Sequence, residues 1–436
     1  MRAAYRQLAG PVVDHATNFL IGGTNGKGST AGFLYLLLTQ NQSLRIGLYT
    51  SPHLLEFSER ISLSHRKMTD KILHHEFQKM KKKVPKEVLD SLSFFEITTL
   101  LAAYLFAGED NHLNIWEVGL GGRLDATNVI SPSVSAIVSI SRDHEEFLGE
   151  DLWSIALEKL GIARSQRPLF FGSGGELSRN PCLLERFHQE TQARSVPVYD
   201  FGSYFTLSDD SFQINLPHLK YQSLPLPHFL QKGPKYLKQN YVLAASMYHW
   251  QQSYGTEKLK PIEEANGSLV IHSFPPSLAA RCEKRQIEYH GSQYQIIMDV
   301  CHNPDGAQTF TSALREVWQE DWPETLPGMV FIFADKKMNA MLDHLKKILF
   351  PLSLFHLNGS NRDFNDKDIA PRHQDITVYP SFKSAWEDFK NISSDPTVIC
   401  GSVWGIGSVL DFFATEKMAR HHHIPIGNSH WLQSGW

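Results

Sequence analysis

Between the apolar run FLIGG and the helical pattern AGFLYLLL, the chain reads Gly22-Gly23-Thr24-Asn25-Gly26-Lys27-Gly28-Ser29-Thr30. A glycine-rich turn joining strand to helix can wrap backbone N–H groups around phosphate oxygens, and the helix dipole and a lysine add positive potential. The strict pattern G-x-x-x-x-G-K-[ST] is not met, because Ile21 holds the first glycine position and Gly28 follows the lysine. Ser29 or Thr30 therefore has to supply a hydroxyl for Mg²⁺. A bare glycine cluster would be an ordinary βα turn; Lys27, Ser29 and both flanking elements favour a nucleotide loop.

Other residues able to do chemistry fall at the carboxyl ends of apolar runs, where open α/β sheets gather their ligands. The run LNIWEVGL delivers Glu117, a candidate Mg²⁺ ligand, followed by Gly119, Gly121, Gly122, Arg123 and Asp125. The next run ends in SISRDH, so Asp143 and His144 are expected at a neighbouring strand end, able to share one ion with Glu117. An isolated Asp-His pair would more simply be a structural cap. Lys159 lies in a helical pattern, where a lysine is ordinarily solvated. Further on, Asp299 and His302 in the run DVCHNP close another strand, with Arg281 upstream; Asp299 alone could equally be a helix cap.

The elements that must position these groups alternate. Strands are expected at Thr17 to Gly23, Arg45 to Ser51, Leu113 to Leu120, Val134 to Ser141, Pro168 to Gly172 and Val196 to Gly202. The clearest helices between them are Ser29 to Thr39, Asp70 to Lys83, Phe95 to Ala107 and Leu152 to Ala163. Alternation and prolines from Tyr204 to Pro227 indicate hairpin material at the sheet edge. A second α/β series starts near Gln293, with strands at Tyr294 to Val300, Met329 to Ala334, Leu352 to Leu357, Ile376 to Tyr379 and Thr397 to Gly401. Ser273 to Ala280, containing Pro275 and Pro276, makes a linker, and the boundary divides a domain of residues 1–277 from one of 278–436. The fold class is α/β: a phosphate-loop domain with a mainly parallel sheet, plus a smaller Rossmann-like α/β domain.

Composition narrows the class. The 436 residues predict two or three domains, and 42% hydrophobic with 20% charged residues is that of a globular chain. Asp plus Glu at 46 against Lys plus Arg at 42 leaves a net charge of −4, without the basic excess of a nucleic-acid binder. Cys182, Cys282, Cys301 and Cys400 make no C-x-x-C pair, which fits reduced thiols and a cytoplasmic location. No apolar run reaches the roughly 20 residues of a membrane span, and the opening residues lack the core of a secretion signal. His421-His422-His423 and Lys81-Lys82-Lys83 read as solvated surface.

Seven motifs in order resemble the folylpolyglutamate synthase and dihydrofolate synthase family of the Mur ligase superfamily. They are GTNGKGST at 23–30, TSPHL at 50–54 with Glu59-Arg60-Ile61, FFE at 94–96, EVGLGGRLDATN at 117–128, DH and LG within 143–149, EKLGI at 158–162 and HNPDGA at 302–307. The resemblance implies an ATP-dependent acid–amino-acid ligase joining L-glutamate to a folate or to dihydropteroate through an acyl phosphate. It implies that Lys27 neutralises phosphate oxygens while Gly23, Thr24, Asn25, Gly26, Gly28, Ser29 and Thr30 line them. Ser29 and Glu117 would hold Mg²⁺ on the nucleotide, with Ser51, Glu117 and His144 at a second ion. Lys159 matches a position carbamylated in the family, an anionic ligand beside metal. Asn240 matches an adenine-side residue, Arg281 one on phosphate, Asp299 one on ribose, and His302 another facing ATP. Arg60 is carried over as a substrate contact, and Asp125 and Ser402 as positions near the incoming glutamate. ATP is then expected in a cleft served by both domains, in a monomer.

The chain also departs from the family. The segment ahead of the loop strand is short, where bacterial relatives carry a longer leader that helps bind pterin, so both the folate and the dihydropteroate reactions stay open. Leu160 replaces an alanine, Tyr236-Leu237 an H-Q pair, Ala279-Ala280 a P-G pair, and Asp335-Lys336-Lys337 a D-K-D run. Two other readings stay open, a cell-wall ligase acting on a UDP-linked muramyl peptide and a nucleotide-binding regulatory homologue without ligase activity.

Overall fold

Seven of the apolar runs in the first part of the chain pair into one sheet. In this computed structural model, which describes residues 1–267, 275–317, 325–332, 337–357, 363–390 and 396–415, the strands are β1 (Thr17–Gly22), β2 (Ile46–Tyr49), β3 (Ile61–Leu63), β4 (Leu113–Glu117), β5 (Val134–Ser139), β6 (Leu169–Gly174) and β7 (Val198–Asp200). Their order is β3-β2-β4-β1-β5-β6-β7, all parallel except the antiparallel edge pair β2–β3. The central strand β1 is apolar almost throughout because both of its faces are covered. Its one inward polar residue, Asn18, is satisfied: its Oδ1 accepts from Trp116 Nε1 at 2.9 Å, tying β1 to β4.

Two helices of this unit explain where the site residues fall. Helix Lys27–Thr39 buries ten of its residues, from Gly28 to Leu38, so it runs through the interior with its first turn under the glycine loop. Helix Phe94–Gly108 begins with a capping box, in which Ser93 Oγ accepts from Glu96 N at 3.2 Å and Glu96 Oε2 accepts from Ser93 N at 2.9 Å. The expected hairpin material is a separate antiparallel sheet of β8 (Phe205–Leu207), β9 (Ser211–Ile214) and β10 (Gln222–Pro225). Long helix Lys235–Tyr254 follows, a feature absent from the expected elements.

The second series forms a six-stranded sheet of β11 (Glu283–Tyr289), β12 (Ser292–Asp299), β13 (Leu326–Phe331), β14 (Leu349–Phe355), β15 (Thr377–Tyr379) and β16 (Thr397–Gly401). The order is β11-β12-β16-β13-β14-β15, parallel except for the antiparallel edge strand β11. The chain divides into two compact units, Met1–Pro227 with Tyr236–Val270, and His228–Lys235 with Ile271–Trp436. Residues 273–274 of the expected linker, Asp335 and Lys336 of the altered D-K-D run, and His421 to His423 lie outside the described residues. Among the described residues no helix is long and apolar enough to cross a membrane.

Candidate active site

The glycine loop leaves β1 and is built against the end of β5. Gly23 has φ of +145° and Gly26 of +84°, and a Cβ on Gly26 would stand 2.9 Å from the Asn240 amide and from Val138 Cγ1. Only glycine fits that second position, which is what lets the loop turn tightly enough for Gly26 to cap helix Lys27–Thr39. The wall behind it is polar. Thr24 N donates to Ser139 O at 2.8 Å, Asn25 N donates to Ser139 Oγ at 2.9 Å, and Ser139 Oγ in turn donates to Asn25 O at 2.9 Å. Thr24 Oγ1 donates to Ser141 O and accepts from Ser141 N. Lys27 folds over the loop with its Nζ 3.0 Å from both Gly23 O and Thr24 O.

Ser29 and Thr30 sit in the first turn below, fully buried, and neither hydroxyl has a hydrogen-bond partner among the described residues. Orphaned buried hydroxyls are costly, and a phosphate oxygen or a hard cation would satisfy them. Glu117, at the end of β4, is 4% exposed and its Oε2 accepts from Ser51 N at 2.9 Å. A hydroxyl and a carboxylate are the oxygen donors Mg²⁺ takes alongside phosphate, so the residues present fit the ion.

One expectation needs correcting here. Glu117 and the Asp143–His144 pair are not on neighbouring strand ends, because β1 lies between β4 and β5 and places the phosphate loop between them. The physical reason is the parallel winding, in which consecutive strands in sequence need not be adjacent. His144 also lies five residues past the end of β5, at φ +52°, where it precedes the short helix Glu145–Leu148; its N donates to Asp143 Oδ1 at 2.9 Å.

Lys159 is not solvated, as a helical lysine read alone would be. Helix Leu152–Leu160, capped by Asp151, buries Leu152, Ile155, Ala156, Lys159 and Leu160. That i, i+3, i+4, i+7 spacing puts the lysine on the apolar face; the signal was in the sequence. Burial first, and the nearby Lys27 ammonium second, pull its pKa down to about 7, against an opposing pull from Asp143. Lys27, Asp143 and Lys159 thus feel one another electrostatically beside the phosphate loop.

Arg60 is buried in this unit. Its Nε donates to His53 Nδ1 at 2.8 Å, and its guanidinium lies 5.8 Å from the Phe57 ring centroid and 5.7 Å from that of Phe94. His53 was part of a quoted motif without a role; burial and the Arg60 charge lower its pKa. Asp125 organises its own loop: Thr127 N and Oγ1 donate to Oδ1 at 2.9 and 2.6 Å, and Leu120 N donates to Oδ2 at 2.9 Å. Burial raises its carboxyl above the ordinary carboxylate range. Phe94, over which the Arg60 guanidinium lies, is exposed, as are Leu124 beside Asp125 and Phe147 in the helix Glu145–Leu148, apolar surface not anticipated from the sequence.

In the second unit, Asp299 ends β12 and its Oδ2 accepts from Cys282 N at 2.8 Å. His302 Nδ1 donates to Val300 O at 3.0 Å, and Arg281 Nε is buried without a hydrogen-bond partner among the described residues. Ser402 Oγ accepts from Gly405 N at 3.0 Å, which caps helix Val403–Thr415. Arg281, Asp299 and His302 thus gather around the start of β11 and the end of β12, and Asn240 presses on the phosphate loop of the first unit.

No family model matches the chain. A dihydrofolate synthase/folylpolyglutamate synthase of Haemophilus influenzae is 30% identical over 353 residues, which is 80% of this chain and 76% of that protein. The protein of the same name from Buchnera aphidicola subsp. Schizaphis graminum is 44% identical over 402 residues, covering 90% of this chain and 87% of its own. Among solved structures, a bifunctional folylpolyglutamate synthase/dihydrofolate synthase with Mn, AMPPNP and L-glutamate bound superposes with a TM-score of 0.77 at 25% identity, over 95% of this chain and 93% of that one. With relatives this similar along this much of their length, the chain belongs to the dihydrofolate synthase/folylpolyglutamate synthase family.

Proposed function

We propose that the protein is an ATP-dependent ligase that joins the amino group of L-glutamate to a carboxylate of a folate, and of dihydropteroate. The observation that carries this reading is the pair of partnerless buried hydroxyls of Ser29 and Thr30 under a glycine loop, with Lys27 above them. Carboxylate and amine do not condense unaided. A carboxylate oxygen of the acceptor attacks the γ-phosphorus of ATP, ADP leaves, and the glutamate nitrogen then attacks the acyl carbon, losing a proton as phosphate departs. The protein's share is to hold the partners in line and to offset charge on the transferring group.

Lys27, Arg281 and the loop amides take the phosphates, while Asp299, His302 and Asn240 recognise the rest of the nucleotide. Ser29 and Glu117 would hold one Mg²⁺, and Ser51, Glu117 and His144 a second; such ions offset phosphate charge. The exposed Phe94 ring offers a flat apolar surface to an aromatic acceptor beside Arg60, whose charge suits its carboxylates. Asp125 and Ser402 serve the incoming glutamate. Lys159, with its pKa near 7, is partly neutral at pH 7; its nitrogen adds to CO₂ and loses a proton, giving a carbamate beside Lys27. Four free thiols suit a reducing cytoplasm, where the enzyme acts as a monomer.

Product mass spectrometry tests the reading. Purified protein with Mg²⁺, ATP and glutamate is given dihydropteroate in one tube and tetrahydrofolate in another, with Lys27→Ala as control. Glutamate should be added in both tubes, and the control should lose at least about a hundredfold in rate while keeping its fold. Absence of glutamate on either acceptor, or normal turnover by Lys27→Ala, would overturn it. A carbon-13 carbamate signal from labelled bicarbonate, lost in Lys159→Met, checks the modification.

A further inference from the structure

Arg281 stands in a turn that the chain has to force. Ala280 and Cys282, on either side of it, both have φ of +52°, the left-handed region unfavourable for any residue carrying a Cβ. Two buried carboxylates hold that turn. Glu283 Oε2 accepts from Ala280 N at 2.7 Å, and Asp299 Oδ2 accepts from Cys282 N at 2.8 Å. Ala280 O is tied as well, accepting from Val300 N at 3.1 Å.

Glu283 is itself anchored. Its other oxygen, Oε1, accepts from Arg285 Nε at 2.5 Å, and the two side chains are 0% and 7% exposed on the inward face of β11. The remaining inward residues of that strand, Ile287 and Tyr289, are buried and mostly apolar in bulk. A buried ion pair is a poor source of stability compared with apolar residues of similar volume, so packing alone does not account for it. What this pair does that an apolar pair could not is present a fixed acceptor to the Ala280 amide.

We propose that Glu283, held by Arg285, is a positioning residue that locks the Ala280–Cys282 turn and so aims Arg281 at the phosphates of ATP. This rests on the reading of Arg281 as a phosphate contact. Glu283→Gln keeps the shape, but one amide oxygen cannot serve both Ala280 N and Arg285 Nε. The test is steady-state kinetics with ATP as varied substrate, beside a thermal melt. Glu283→Gln should raise KM for ATP about tenfold, the size of one charge-assisted hydrogen bond, with kcat nearly unchanged. Adding Ala280→Gly should restore KM, because glycine takes φ of +52° freely.

A lower melting temperature with an unchanged KM would overturn the proposal, as would a raised KM that Ala280→Gly does not restore. If Glu283→Gln alone does not fold, the double variant is compared with Ala280→Gly: equal KM values support the proposal and a higher one in the double variant overturns it. Arg281→Ala separates the two layers. If it leaves KM for ATP unchanged, the phosphate reading falls and the positioning role with it; if it raises KM while Glu283→Gln does not, only the positioning role falls.

Discussion

At Gly23 and Gly26 the phosphate loop takes φ of +145° and +84°, whereas Ala280 and Cys282 flank Arg281 at +52°. Both turns present positive charge, and they solve the same backbone problem differently. The loop has no room: a Cβ at Gly26 would meet side chains at 2.9 Å, so the residue has to be glycine. Around Arg281 the side chains are accommodated, and buried carboxylates on the flanking amides offset the unfavourable backbone. Where sterics forbid a side chain, residue type alone does the work; where they do not, neighbouring hydrogen bonds do it, and the turn inherits a dependence on those neighbours.

Three substitutions probe that contrast. The largest effect is expected for Gly26→Ala, which adds both a clash and a strained φ; a loss of about 3 kcal/mol in denaturant unfolding and no detectable ATP binding by calorimetry are the expected outcomes. A loss below about 1 kcal/mol would show that the loop is looser than its walls indicate.

Lys159 sharpens the comparison from the side of charge, since it is buried next to the loop lysine. Its folded pKa of about 7 lies below the ordinary lysine value, so between those two values the unfolded chain binds more protons. Stability therefore rises with pH across that window, with a slope of up to about 1.4 kcal/mol per pH unit. In CO₂-free buffer, Lys159→Met should flatten that part of the pH profile of unfolding. An unchanged profile would mean that the amine is solvated or paired.

The smallest effect belongs to Ala280→Gly. Relief of the left-handed strain is nearly cancelled by the greater freedom of glycine in the unfolded chain, so a gain of about 0.5 kcal/mol in the thermal melt is expected. A clear destabilisation would show that the Ala280 methyl is needed for packing.

The parallel core was legible because its strands are short apolar runs ending in glycine, as in FLIGG before the phosphate loop. Strand β11 was not, and the reason is local. Its inward positions begin with Glu283 and Arg285, so the alternation that marks a half-buried strand starts on an ion pair and the first four residues all read as polar. Glu117 was placed correctly at the end of β4, but the Asp143–His144 pair was expected on the adjacent strand and β1 lies between, because strand order in a wound sheet is not sequence order. The burial of Lys159 was readable from helical spacing, whereas the capping by Ser402, the cage of His53, Phe57 and Phe94 around Arg60, and the acceptance by Glu283 of the Ala280 amide depend on contacts over folded backbone that no spacing encodes.

The Lys27 ammonium already rests on the carbonyls of Gly23 and Thr24. On the proposed function, nucleotide entry is an exchange of acceptors, carbonyl for phosphate, rather than the capture of a lysine from water. An ammonium whose hydration has been partly surrendered on folding has less left to lose on binding, and the side-chain entropy of ordering it has been spent in advance. The loop is preorganised by its own lysine, whose two carbonyl contacts are the ones a phosphate would replace on that reading.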